Sequence, residues 1–175
     1  MRWIVALLLA ATSLTGEDKK LPTELPKLKS LAINGSVEAQ YQLGLMYATG
    51  ELVEQDYEEA VKWYTMAAKR GLPKAQNNLG VRYERGEGVN QNFREALTWY
   101  LKAAEQGNAF AQTNLGAMFA RGNGVRRNVE ESIKWYRKAA AQGDPRAQNF
   151  LGHNYRRGNG VVRDLKEAVK YFLLA

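Results

Sequence analysis

The sequence predicts an all-α solenoid of four 36-residue helix-turn-helix repeats. Three observations carry this. The chain matches itself at a shift of 36 residues without an insertion, each unit holds two segments of helical apolar periodicity, and start and stop signals recur at the same phase of every unit.

The 36-residue shift superposes Ala39-Gln40 on Ala75-Gln76, Ala111-Gln112 and Ala147-Gln148. It also superposes Leu43-Gly44 on Leu79-Gly80, Leu115-Gly116 and Leu151-Gly152, and Tyr47 on Tyr83, Phe119 and Tyr155. In the second half of each unit Ala60, Ala96, Ser132 and Ala168 align. The aromatic pairs Trp63-Tyr64, Trp99-Tyr100, Trp135-Tyr136 and Tyr171-Phe172 follow them.

Taken in chain order, residues 1–15 read as a cleavable export signal. Arg2 gives a positive start, Ile4 to Ala11 an apolar run, and Ala11 and Ser13 the small residues before a cut, with Thr15 and Gly16 as rival sites. The run is shorter than the roughly 20 apolar residues a spanning helix needs. Residues 16–36 form a linker and a partial capping helix, because Ala32 and Gly35 stand in phase with Ala68 and Gly71 and Leu25 to Asn34 matches the tail of a second helix. The repeat domain fills 37–175, with repeats at about 37–72, 73–108, 109–144 and 145–175.

Within a repeat, the first segment, such as Pro73 to Arg85, spaces Ala75, Leu79 and Tyr83 four apart on one helical face. The second, such as Asn92 to Gln106, does the same with Ala96, Tyr100 and Ala103-Ala104. Asp56, Asn92, Asn128 and Asp164 precede Glu59, Glu95, Glu131 and Glu167 by three residues, the spacing of a reciprocal capping box. Gly71, Gly107 and Gly143 stop the second helices, where a left-handed residue is needed, and Pro73 and Pro145 open the next first helix. Gly44, Gly80, Gly116 and Gly152 fall inside the first helix, at a cost of about 1 kcal/mol each relative to alanine. That recurring cost implies close approach of the partner helix, under the large aromatic one turn away. Helix pairs with a one-sided apolar stripe must stack on neighbours, so Trp63, Trp99 and Trp135 read as packing between repeats and not as platforms for bases.

The pattern Ala-Gln-x-x-Leu-Gly-x-x-Tyr, then Gly-x-Gly-Val, then Ala-x-x-Trp-Tyr-x-x-Ala-Ala-x-x-Gly resembles the Sel-one-like repeat, a relative of the tetratricopeptide repeat. It is clearest from Ala75 to Gly107 and from Ala111 to Gly143, and it spans residues 39–175. The resemblance implies a right-handed α/α superhelix used as an adaptor or binding surface. For exported bacterial members it implies a periplasmic or secreted place of work. Some secreted relatives carry a disulfide in each repeat; this chain has no cysteine, so nothing specific to that branch, penicillin binding included, is carried over.

The residue inventory points away from catalysis. Without cysteine there is no disulfide, thiol chemistry or lipid-anchor cysteine. His153 is the single histidine, so neither a multi-histidine metal site nor a Ser-His-Asp triad can be assembled. The pairs Glu58-Glu59 and Glu130-Glu131 stand at helix starts and read as capping residues, not as an acid and a base. Gly86-Glu87-Gly88, Gly122-Asn123-Gly124 and Gly158-Asn159-Gly160 recur once per repeat, as turns do, and not as phosphate cradles. The expectation is a non-enzyme without metal or cofactor. A net charge of +7, from 25 Lys and Arg against 18 Asp and Glu, suits acidic partners and equally a merely solvated basic surface, because the charges are spread along the chain; no nucleic-acid module is recognisable.

By analogy with related solenoids, the non-consensus positions of the first helices face a concave groove. These are Lys74, Asn77, Asn78 and Arg85 in the second repeat, Phe110, Asn114 and Arg121 in the third, and Arg146, Asn149, His153 and Arg157 in the fourth. Tyr41, Gln42 and Leu45 in the first repeat, with Val81, Thr113 and Phe150, complete the set. Asn77, Asn78, Asn114 and Asn149 form a polar line whose amides can donate to and accept from an extended peptide backbone, and the flanking arginines suit a carboxylate.

The expectation is an exported protein-protein interaction module holding an extended, acidic peptide or protein segment in that groove. One alternative is an assembly protein working through its end. Ala175 aligns with Ala139, so the last helix stops before its glycine, and Phe172, Leu173 and Leu174 would form a homodimer or partner contact or mark a truncated product. Another alternative is a cell-wall polymer binder or enzyme, motivated by export and positive charge.

Overall fold

Consecutive helices, each turned back on the last, make up the computed structural model, which describes residues 21–175. The expected export signal at 1–15 lies outside the described residues. Among those residues there is no strand, and the helices are α1 Leu21–Ile33, α2 Val37–Thr49, α3 Tyr57–Lys69, α4 Pro73–Arg85, α5 Phe93–Glu105, α6 Ala109–Arg121, α7 Val129–Ala141, α8 Pro145–Arg157 and α9 Leu165–Leu174. Substantial packing joins each helix to its neighbours in sequence, α1 on α2, α2 on α3 and so on to α9. That is the nearest-neighbour order of a solenoid.

Each boundary has a local cause. The expected segment Pro73 to Arg85 is α4, with its proline at the first turn, and Asn92 and Gln106 are the caps of α5. Asp56, Asn92, Asn128 and Asp164 cap the second helices, their side-chain oxygens accepting from the amides of Glu59, Glu95, Glu131 and Glu167 at 2.9 to 3.1 Å. The reciprocal half of the capping box is not built. The cap amides of Asp56, Asn92, Asn128 and Asp164 donate instead to the carbonyls of Tyr47, Tyr83, Phe119 and Tyr155, each at 2.9 Å. Released from capping, Glu59, Glu131 and Glu167 pair with Lys62, Lys134 and Lys170 one turn on.

The in-helix glycines do mark close approach, but of an aromatic on the partner helix and not of the tyrosine one turn along the same helix. A Cβ at Gly80 would lie 2.7 Å from the Tyr100 ring, and Gly44, Gly116 and Gly152 face Tyr64, Tyr136 and Phe172 in the same way. The buried core runs as small clusters along the axis, with Leu43, Leu79, Leu115 and Leu151 all wholly enclosed. Each contributes on the order of 2 kcal/mol by leaving water. Trp99 packs on a cluster that joins Ala60 and Ala67 of the preceding repeat to Leu79 of its own, and Trp135 joins Ala96 and Tyr100 of the preceding repeat to Leu115 of its own, so these tryptophans lie between repeats as expected. At the amino end, Ala32 of α1 is buried with Ala39 and Leu43, and Leu25, Leu28 and Trp63 pack around them.

A second row joins the repeats through polar groups. Gln40, Gln76, Gln112 and Gln148 are buried, and each donates its amide to the carbonyl eight residues earlier, on Ala32, Ala68, Ala104 and Ala140. The oxygens of Gln76 and Gln112 accept from Gln106 and Gln142 at 2.7 and 2.8 Å, so each ties three successive helices. The oxygens of Gln40 and Gln148 have no partner among the described residues.

Candidate partner-binding groove

The first helices line an open hollow of ≈ 770 Å³. Asn77, Asn78 and Arg85 enter it from α4, Phe110, Asn114 and Arg121 from α6, and Arg146 from α8. His153 and Arg157 lie beyond it and, with Arg121, edge a smaller hollow of ≈ 250 Å³ over Tyr136 and Phe150, whose rings stack at 4.8 Å. Lys74 and Asn149 are exposed and border neither hollow.

The polar line is real across two repeats. Asn114 Nδ2 donates to Asn77 Oδ1 at 3.1 Å, and Asn77 Nδ2 donates to Asn78 Oδ1 at 3.3 Å. Asn77 is itself buried, 8% exposed, so it orients its two neighbours. Thr113, in the equivalent place one repeat on, is buried too, and the first-repeat residues Tyr41, Gln42 and Leu45 are half-buried, the Tyr41 ring tilted against that of Tyr64 at 6.0 Å.

Two residues missed by sequence reasoning sit in the main hollow and alter its electrostatics. Glu84 and Glu87 line it together with Tyr100. The Tyr100 hydroxyl donates to Glu84 Oε2 at 2.7 Å. Burial, followed by the adjacent Glu84 carboxylate, pushes the Tyr100 hydroxyl far above its ordinary range, so it stays protonated and keeps donating. Glu84 was findable: its column in the repeat alignment holds Ala48, Ala120 and Arg156, so it is a non-consensus position of a first helix like the others singled out. Glu87 is held by Arg82 at 2.5 Å, and Arg85 stands 3.8 Å from it.

The arginines differ in how far they are committed. Arg146 pairs with buried Asp144 at 3.2 Å and lies over the Phe110 ring at 5.3 Å, while Arg121 and Arg157 form no ion pair among the described residues. Phe110, 59% exposed, stands beside them as an apolar contact. Within the described residues no group of three His, Asp or Glu side chains gathers as a metal site would, and no helix is long and apolar enough to cross a membrane. The arrangement suits recognition: fixed amides, an acid held by a tyrosine, and guanidinium groups around an exposed ring.

At the carboxyl end, Phe172 takes the place held by Tyr64, Tyr100 and Tyr136 and packs on Gly152, its ring 5.1 Å from that of His153. Leu173 and Leu174 are 82% and 58% exposed.

The Sel1 repeat model matches residues 37–72, 73–108, 109–144 and 145–175. The chain is similar to c5321, a protective antigen present in uropathogenic Escherichia coli strains displaying an SLR fold, with 40% identity and a TM-score of 0.87 over 91% of this chain and 34% of that one. It is similar to a Sel1 repeat protein from Oxalobacter formigenes, with 41% identity and a TM-score of 0.77 over 86% of this chain and 62% of that one. Cysteine rich protein B of Helicobacter pylori shares the fold alone, at 23% identity and a TM-score of 0.57 over 71% of this chain and 95% of that one. The chain thus spans about a third of the first relative and less than two thirds of the second. No curated protein matches it.

Proposed function

The chain belongs to the Sel1 repeat family, whose members generally mediate protein-protein interaction, and from that premise we propose an exported binding module that holds an extended, acidic protein segment in the first-helix groove. The observation that carries this reading is the hydrogen-bonded line from Asn78 through Asn77 to Asn114. It crosses from one repeat to the next and leaves the Asn114 amide oxygen without a hydrogen-bond partner among the described residues. Amides fixed in advance by their own network lose little freedom when they meet a peptide backbone. Arg121 and Arg146 beside that line supply the preference for carboxylates. Export to the periplasm or beyond rests on the character of residues 1–15.

The test is fluorescence anisotropy with a labelled twelve-residue peptide of alternating Glu and Ser. It compares the intact chain with an Asn78→Ala, Asn114→Ala, Arg121→Ala variant of equal helicity. Binding by the intact chain that weakens at least about tenfold in the variant is expected, the sum of modest losses at three contacts. Equal binding by both would place the site elsewhere.

A second reading, assembly through the carboxyl end, draws on the exposure of Leu173 and Leu174 together with Val169 and Leu165. Because Phe172 packs on Gly152, truncation at 172 would disturb the last repeat, and Leu173→Ser with Leu174→Ser is the cleaner change. Sedimentation velocity would show a dimer that the double variant abolishes; a monomer for the unaltered chain would end this reading.

A further inference from the structure

Counted repeat by repeat, the charge is not evenly spread. Residues 37–72 carry six acidic and three basic side chains, net −3. The next repeat carries four and five, net +1, the third three and six, net +3, and residues 145–175 two and six, net +4. Because the repeats stack in sequence order, this is a monotonic gradient along the solenoid, hidden in the overall +7.

The groove side chains follow the same gradient. The last residue of each first helix is Thr49, then Arg85, Arg121 and Arg157, so repeats 2 to 4 each add one exposed guanidinium at an equivalent place. Arg85 is partly offset by Glu87, whereas Arg121 and Arg157 have no acidic partner among the described residues. On the amino-terminal side of these two stands Glu84, its carboxylate held by Tyr100. A ligand carboxylate is therefore attracted most at repeats 3 and 4 and least at repeat 2, where Glu84 and Glu87 offset Arg85 and leave room for a cationic or neutral group. Packed helices stand about 10 Å apart, and an extended chain advances about 3.3 Å per residue, so one repeat corresponds to about three ligand residues.

We propose that the acidic segment lies in the groove in one direction only, its carboxylates over Arg121 and Arg157 about three residues apart and its neutral or basic end over Glu84. The inference rests on the groove reading above and adds the polarity of the partner. Salt screens separate charges within roughly 8 Å at physiological ionic strength, so the arginine row fixes the bound register while the gradient biases the approach.

The absence of cysteine permits a direct test, since a single introduced cysteine is the sole labelling site. Thr49→Cys and Asn159→Cys, both exposed and at opposite ends of the groove, each receive a fluorophore. Two twelve-residue peptides carry a quencher at the amino end: one has Glu at every third position of its amino half and Lys in its carboxyl half, the other the reverse order. The first peptide should quench the label at 159 and the second the label at 49, and Arg121→Glu with Arg157→Glu should weaken both at least about tenfold. If both peptides bind and quench the two labels alike, or quench the same label whatever their charge order, the directional inference falls and the groove reading stands. If neither binds below millimolar concentration, both fall.

Discussion

Leu52 stands in the alignment column that holds Gly88, Gly124 and Gly160, and it adopts the same left-handed backbone, with φ at 68°. Two demands meet in that column. In the later repeats glycine also avoids a collision, since a Cβ at Gly124 would lie 2.5 Å from the carbonyl oxygen of Phe93 in the preceding repeat. At position 52 only the backbone strain remains. Leu52→Gly should therefore stabilise the chain by about 0.5–1 kcal/mol, the relief of a left-handed leucine less the entropy of glycine. Gly80→Ala should destabilise it by about 1–3 kcal/mol, because the added methyl overpacks the Tyr100 ring. Urea denaturation of both variants checks the pair, and a stable Gly80→Ala would mean that the helices can separate without loss. The need for glycine at 80 was legible from its recurrence at a known helical cost. Which aromatic demanded it was not, because Tyr83 and Tyr100 are equally periodic and spacing along one helix does not say what the next helix brings.

At the level of the helix, the second-helix tyrosines link packing to pH. Burial pushes the hydroxyls of Tyr64 on α3 and Tyr136 on α7 from an ordinary value of 10.0 up to about 12, and Tyr100 on α5 is raised further. Each hydroxyl holds its proton more tightly in the folded chain than in the unfolded one. For Tyr64 and Tyr136 that contribution is whole below pH 10 and is lost as pH rises through about 12. The urea midpoint should fall between those values, and Tyr136→Phe should flatten part of the fall; a midpoint constant to pH 12 would mean these rings are hydrated. Helix limits were legible because caps, prolines and terminal glycines are local signals. The half-built capping box was not, since the cap amides reach carbonyls of Tyr47, Tyr83, Phe119 and Tyr155 across a loop, at a distance in sequence where a spacing rule is blind.

For the molecule as a whole, packing chiefly between helices adjacent in sequence makes stability approximately a sum over interfaces, lowest for the helices that the described residues cover on one side only. Amide exchange should be slowest in α4 to α7 and faster in α1 and α9; uniform protection would mean that the repeats unfold as one unit. The candidate groove residues come from analogy with related solenoids, and several of them, Asn77, Asn78, Asn114 and Arg121 included, border one hollow. The burial of Asn77 and the entry of Glu84 were not legible from helical phase, because the winding of one repeat on the next decides which side of a narrow stripe turns inward. The glutamine row gives this a mechanical meaning. Gln76 and Gln112 each clamp three helices, so bending or twisting the central repeats must stretch two hydrogen bonds per clamp, whereas at Gln40 and Gln148 one of the two is missing. The rod is a spring of unequal compliance, stiff at Gln76 and Gln112 and more yielding at Gln40, where Arg70 stands in the place of the donating glutamine. Its asparagine line is mounted on the stiff part, so a pull on the first repeat is absorbed before it reaches the proposed recognition surface.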